Sequence, residues 1–151
     1  MTSKIESSIQ TCGFARTQSY GGSGGGGFSD NLTETCRLVG VNLRSGSRID
    51  GIQAVWSTPS GGEITGTWHG GAGGSPHEFR LAADEYITRI DGRSGTKTDQ
   101  LKFTTNKGTV YGPFGGSGGT AFAISEVKVG GFFGRSGSEL DDIGFFTPGQ
   151  C

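Results

Sequence analysis

Three aspartates close the same short frame. "GSRID" ends on Asp50, "GTKTD" on Asp99 and "GSELD" on Asp141, each a Gly-x-x-x-Asp preceded by Arg-Ser. An ionised aspartate only accepts hydrogen bonds. Its two oxygens can take two neighbouring hydroxyls at once, and the charge strengthens both bonds. The matching donors can be main-chain N–H groups, provided no Cβ holds the ligand away, and glycine meets that condition. The chain provides such bare backbone three times, as "YGGSGGGGFSD" at 20–30, "HGGAGGSPHEF" at 69–79 and "FGGSGGTAFAI" at 114–124. Each holds a Gly-Gly-x-Gly-Gly core with an aromatic residue shortly after. A pocket built this way suits a ligand with hydroxyls in fixed directions, and it calls for no metal and no cofactor.

These motifs need a rigid frame. Between them run short apolar or alternating segments rich in Val, Ile, Phe and Thr: "CRLVGVNL", "IQAVWST", "YITRIDG", "LKFTTN", "FAISEVKVGGFF". That is strand patterning, closely punctuated by turn residues, with no sustained helical period. The pattern predicts an all-β domain of about a dozen short strands in three similar units around one core. The 31 glycines of the 151 residues would fit disorder, but 10 phenylalanines and 2 tryptophans argue for a packed interior.

Several function classes fall away. Net charge is -1 with no Lys/Arg cluster, so the electrostatic footprint of a nucleic-acid binder is missing. No apolar run approaches the roughly 20 residues of a membrane-spanning helix. The glycine loops lack the following helix and Gly-Lys-Ser/Thr ending of a phosphate cradle. Cys12, Cys36 and Cys151 are odd in number without C-x-x-C spacing, compatible with one disulfide plus a thiol or with three thiols. The Asn31-Leu32-Thr33 sequon matters only in a secreted protein. No secretory signal is visible at the N-terminus, so the default expectation is a cytoplasmic protein, with a secreted mature form as the alternative.

"GGSGGGGF", "DEYITRIDGRSG", "LKFTTNKGTVYGPFGGSGG" and "GGFFGRSGSELDDIG" resemble, in order, the pattern of the jacalin-related lectins. The likeness implies a β-prism I of three Greek-key four-stranded sheets with pseudo-threefold symmetry. It implies an N-terminal extension at 1–18, a lectin domain at 19–147 and a tail at 148–151. It further implies calcium-independent binding of mannose or glucose glycans without catalysis, by a homo-oligomer. The family's galactose binders carry an N-terminus freed beside the glycine loop, whereas residues 1–20 run unbroken into it here, which favours mannose or glucose.

Carried over by resemblance, the first site joins Gly25 to Gly137, Ser138, Glu139, Leu140 and Asp141. Asp141 would accept from the sugar's O4 and O6, the N–H groups of 138–140 would face O5 and O6, and Gly25 would reach O3. The second site joins Gly46, Ser47, Arg48, Ile49 and Asp50 to Gly70 and Gly71. The third, expected to be weaker, joins Gly95, Thr96, Lys97, Thr98 and Asp99 to Gly115 and Gly116, because Thr98 stands where Ile49 and Leu140 are apolar and Lys97 adds a charged rim.

Plainer roles compete. The glycine loops and aspartates could simply form turns. Asp141 and Asp142, adjacent on a strand, point to opposite faces and so do not form a glycosidase pair. His69 and His77 read as surface or strand-end residues. Trp56 and Trp68 read as core or subunit contacts. Arg48 could screen or serve the Asp50 entrance, and Arg93 with Lys97 offers a basic spot for sulfated glycans or a packaging role.

Overall fold

The computed structural model describes residues 14–31 and 37–148. The three cysteines, the sequon beyond Asn31 and most of the expected extension and tail lie outside the described residues. Strand patterning becomes fourteen strands, with no helix among the described residues. The N-terminal part holds β1 (Phe14–Arg16), β2 (Tyr20–Gly21) and β3 (Gly26–Ser29). Then come β4 (Arg37–Ser45), β5 (Ile49–Ser57), β6 (Glu63–Thr65), β7 (His69–Gly70) and β8 (Ser75–Arg80). A third group is β9 (Ile87–Ser94), β10 (Thr98–Thr105), β11 (Val110–Gly115) and β12 (Thr120–Ser125), and the chain closes with β13 (Gly131–Ser136) and β14 (Leu140–Pro148).

Three antiparallel sheets result. The second sheet runs β6-β5-β4-β8 and the third β11-β10-β9-β12, each a hairpin whose fourth strand returns beside the first. The first sheet has the same plan, permuted: β1-β14-β13-β3, with its central hairpin from the C-terminal part and its flanks from the N-terminal part. Each sheet is four strands wide, as expected. Two of them count five because the edge strand is interrupted: β1 and β2 both lie along β14, and β6 and β7 along β5. Thr17 N–H still bonds to Phe145 O (2.9 Å), and Gly66 N–H to Ala54 O (2.8 Å), so each edge continues across its break. β1 falls inside the stretch expected to be an extension.

One core lies between the sheets. Val41, Leu43, Ile52, Ile90, Leu101, Phe103, Phe132, Ile143 and Phe145 are fully buried, and each such side chain contributes about 1.5–3 kcal/mol through burial. Phe132 meets Phe145 edge-on, with centroids 5.8 Å apart. At the margin of the core, ring contacts bridge neighbouring sheets. Tyr20 stacks on Phe122 at 4.3 Å and Phe28 on His69 at 3.9 Å, while Phe114 meets His77 at 5.1 Å, tilted. The three bridges occupy equivalent positions in the repeats and hold the glycine loops at one end of the prism.

The central hairpins share a defect that matters for the site. Registers slip at one equivalent place shared by all three: Ser45 pairs with Ile49 but Arg44 with Gly51; Ser94 with Thr98 but Arg93 with Gln100; Ser136 with Leu140 but Arg135 with Asp142. The residue left out each time is Asp50, Asp99 or Asp141. Each aspartate is therefore the extra residue of a β-bulge, a device that re-aims one side chain through a local break in the ladder. The core confirms the count. Ile49 and Ile52, Thr98 and Leu101, Leu140 and Ile143 all point inward at a spacing of three, which a regular strand could not allow.

Candidate functional site

Each bulged aspartate faces the glycine loop of its own sheet. A Cβ built on Gly25 would lie 2.6 Å from Asp141 Oδ2, one on Gly74 2.5 Å from Asp50 Oδ2, and one on Gly119 2.7 Å from Asp99 Oδ2. Gly24, Gly73 and Gly118 cover the other carboxylate oxygens in the same way, at 2.8–2.9 Å. Gly25, Gly74 and Gly119 also sit at φ near +70°, which side chains rarely adopt. The pairing of aspartate and loop expected from sequence is present three times. The loop residues that meet the carboxylate are different in two cases, however. Gly70 and Gly115 back onto the main chain of Asp50 and Asp99, with Gly71 and Gly116 bonded to the carbonyls of those same residues at 2.8 and 2.9 Å.

The loops are held from behind. Arg44 donates to the carbonyls of Gly73 (3.0 Å) and Gly74 (2.8 Å). Arg93 does the same to Ser117, Gly118 and Gly119, and Arg135 to Ser23, Gly24 and Gly25. These are the arginines of the three Arg-Ser-Gly triplets. The repeat was visible in the sequence, but this role was not read from it, and Arg93 is committed to carbonyls. A guanidinium fork matches two adjacent carbonyls and leaves the opposite edge of the loop to the aspartate.

The frame glycines do something else. Gly46, Gly95 and Gly137 lie outside the left-handed region. A Cβ on any of them would find its nearest neighbour at 3.7–3.8 Å, the Cα of Gly74, Gly119 or Gly25. Neither backbone strain nor crowding requires glycine there; the bare positions border the aspartate pockets. The N–H of each bonds to the carbonyl of the frame's middle residue, at 2.9–3.0 Å. Ile49, Thr98 and Leu140 all turn fully inward, so Thr98 occupies the same place as its apolar counterparts.

The three sites form a closed ring. Gly22 of the first loop packs on Thr96 of the third turn, Gly71 of the second on Ser138, and Gly116 of the third on Ser47. The middle side chain of each turn accordingly reaches the next site and not its own. Arg48 lies 3.7 Å from Asp99 and 3.3 Å from Glu139. Lys97 bonds Asp141 Oδ1 at 2.7 Å and lies 3.9 Å from Glu139. Arg48 is thus a neighbour of the third carboxylate, and Lys97 of the first. Glu139 faces the second: burial, then Glu139, push the Asp50 carboxyl above its ordinary value, with Arg44 opposing. Exposure follows the same inequality, at 9% for Asp50, 7% for Asp99 and 1% for Asp141.

His69 is not a surface residue. It is buried, with Nε2 2.7 Å from Asp30 Oδ1. Asp30 was missed because it belongs to another sheet. His77 is exposed. Trp56 is core, its indole N–H bonded to Gly130 O at 2.8 Å. Trp68 lies over Gly51, bonds Gly71 O at 3.0 Å and borders a groove of about 470 Å³ with Arg44, Ala72, Pro76, His77 and Glu78. Among the described residues no group of three His, Cys, Asp or Glu is placed to hold a metal ion.

The family model of the jacalin-like lectin domain matches residues 17–146. Griffithsin from Griffithsia sp. is 39% identical over 129 residues, covering 84% of this chain and 92% of griffithsin. Horcolin from Hordeum vulgare is 35% identical over 137 residues, covering 84% of this chain and 93% of horcolin. Among solved structures, Malaysian banana lectin superimposes with a TM-score of 0.80 at 33% identity, over 91% of this chain and 100% of its own. A mannose-binding jacalin-related lectin from Ananas comosus gives 0.80 at 27%, over 89% and 98%. The prism, the repeated frames and these likenesses agree, and the chain belongs to the jacalin-like lectin family of carbohydrate-binding proteins.

Proposed function

We propose that the three aspartate–glycine pockets bind mannose- or glucose-type residues of glycans, without calcium and without catalysis. The observation that carries this reading is the threefold recurrence of a bulged carboxylate against a strictly bare glycine pair. A carboxylate accepting from two ring hydroxyls, with main-chain donors of the turn beside it, discriminates by direction as well as by charge. The description of the Ananas relative as mannose-binding supports the sugar class. The open space at Gly46, Gly95 and Gly137 supports a ligand at those walls.

Shallow pockets of this kind hold one sugar weakly, with a dissociation constant on the order of 1 mM, or roughly 4 kcal/mol. Three pockets on one rigid end, multiplied by self-association, gain a factor of about 10² to 10⁴ on branched glycans. A sulfated-polysaccharide reading is disfavoured by Arg93, which is already spent on three loop carbonyls.

Site-resolved NMR with methyl mannoside tests the proposal. Amides of 47–50, 96–99 and 138–141 should shift, and Asp50→Ala, Asp99→Ala and Asp141→Ala should each silence one group only. Unmoved amides at all three turns would rule the reading out.

A further inference from the structure

The three carboxylates are alike in fold and unlike in company. Only Asp141 is capped: the Lys97 ammonium sits on Oδ1 at 2.7 Å, and the residue is almost sealed from solvent. Its other oxygen, Oδ2, is buried beside bare Gly25 and has no hydrogen-bond partner among the described residues. A buried acceptor in that condition is costly, and it is an acceptor still waiting for a donor. Asp50 forms no salt bridge among the described residues, and Asp99 has only the longer, half-exposed contact with Arg48.

We infer that Lys97 is a tethered competitor for the Asp141 site and sets its selectivity. An ammonium offers three donors and no acceptor, so it imitates the hydroxyl donors of a sugar at the carboxylate. A ligand reaching Asp141 must first displace it. The side chain has a second seat: Glu139 Oε1 lies 3.9 Å from Nζ. That oxygen is shared with Arg48, which lies 3.3 Å away and has Asp99 as its other partner. Loading the first site therefore moves Lys97 onto Glu139 and frees Arg48 towards Asp99. The first site must expel the lysine before it binds and so holds simple sugars more weakly than the second, which is open to them. Because Lys97 arises from the third turn, this selectivity is imposed by one repeat on another.

The inference rests on the sugar reading above, and its test separates the two. Methyl mannoside is titrated into the wild type, Lys97→Met and Lys97→Arg, following the amides of each turn. Lys97→Met, which keeps length and removes charge, should tighten binding at 138–141 roughly tenfold, equivalent to about 1.4 kcal/mol. Binding at 47–50 should stay unchanged, and Lys97→Arg should stay near the wild type. Unchanged or weaker binding at 138–141 in Lys97→Met, with 47–50 still responding, would overturn the assignment. A folding-independent check uses the wild type alone. The Lys97 Nζ signal should move on the same isotherm as the amides of 138–141, and a stationary signal while they shift overturns the proposal. Loss of response at every turn in the wild type would instead sink the sugar reading itself.

Discussion

Asp30 and His69 come from different sheets and meet in a buried hydrogen bond of 2.7 Å beneath the second glycine loop. The other oxygen of Asp30 accepts the N–H of Phe132 at 2.9 Å, and the imidazole lies flat on Phe28. One carboxylate thus joins the base of a glycine loop to the core of the neighbouring sheet. Asp30→Ala strands two buried donors and should cost roughly 3 kcal/mol. For a chain of this size that is a fall in Tm of about 6–12 °C, measurable by calorimetry. Site-two affinity should fall as well, because His69 directly precedes Gly70.

The arginine clasp predicts a different profile. Arg135→Met releases the carbonyls of Ser23, Gly24 and Gly25, yet leaves the core untouched. The first loop should lose its fixed course, and affinity at the Asp141 site should drop about tenfold, equivalent to about 1.4 kcal/mol. Stability should fall by only about 1 kcal/mol. A denaturant series alongside a ligand titration separates the two effects.

Two glycines of the second site should respond in opposite ways. Gly74→Ala drives a methyl into Asp50 Oδ2 and holds an unfavourable φ, so fold and binding both suffer, by roughly 1–3 kcal/mol in stability. Gly46→Ala has room for its methyl and should stay within about 0.5 kcal/mol of the wild type. It should nevertheless impair binding at the same site, since the new methyl borders the pocket. Equal binding by Gly46→Ala and the wild type would show that the wall is not used.

Acid should switch off the second site early. Asp50 is held above its ordinary value of 3.8 by burial first and Glu139 second. Its carboxylate form is thus disfavoured by the fold. Binding needs that form, so site-two affinity should disappear as pH falls through a midpoint above 3.8. Stability runs the other way, because the folded state takes up the proton more readily than the unfolded chain, and this residue's unfavourable contribution is relieved as pH drops through the same midpoint. Asp50→Asn should therefore raise Tm at neutral pH while abolishing binding. Glu139→Gln should shift the midpoint downward, read from the Asp50 carboxyl signal.

Much of this arrangement could be read from the chain. Strand patterning and the triple frame follow from local residue types, whereas the pairing of Asp141 with Gly25 is legible only through the family resemblance. Even the bulge was within reach, since Ile49 and Ile52, like Leu140 and Ile143, break the alternation by one residue. What could not be read depends on closing the ring. Arg48 stands two residues before Asp50, and nothing local says that its side chain serves Asp99. His69 looked like a strand-end residue because its partner, Asp30, is supplied by another sheet. The choice of Gly74 over Gly70 as carboxylate neighbour follows from the path of the loop, which residue type alone does not specify.

The permuted first sheet has a temporal consequence. The second and third pockets are each assembled from one uninterrupted stretch, 45–74 and 94–119, but the first brings residues 24 and 25 against 136–141. Joining such distant segments carries a larger closure entropy and comes late. The first aspartate–glycine pair therefore forms only once residues 136–141 have been made, whereas those of the second and third sites lie wholly within earlier stretches.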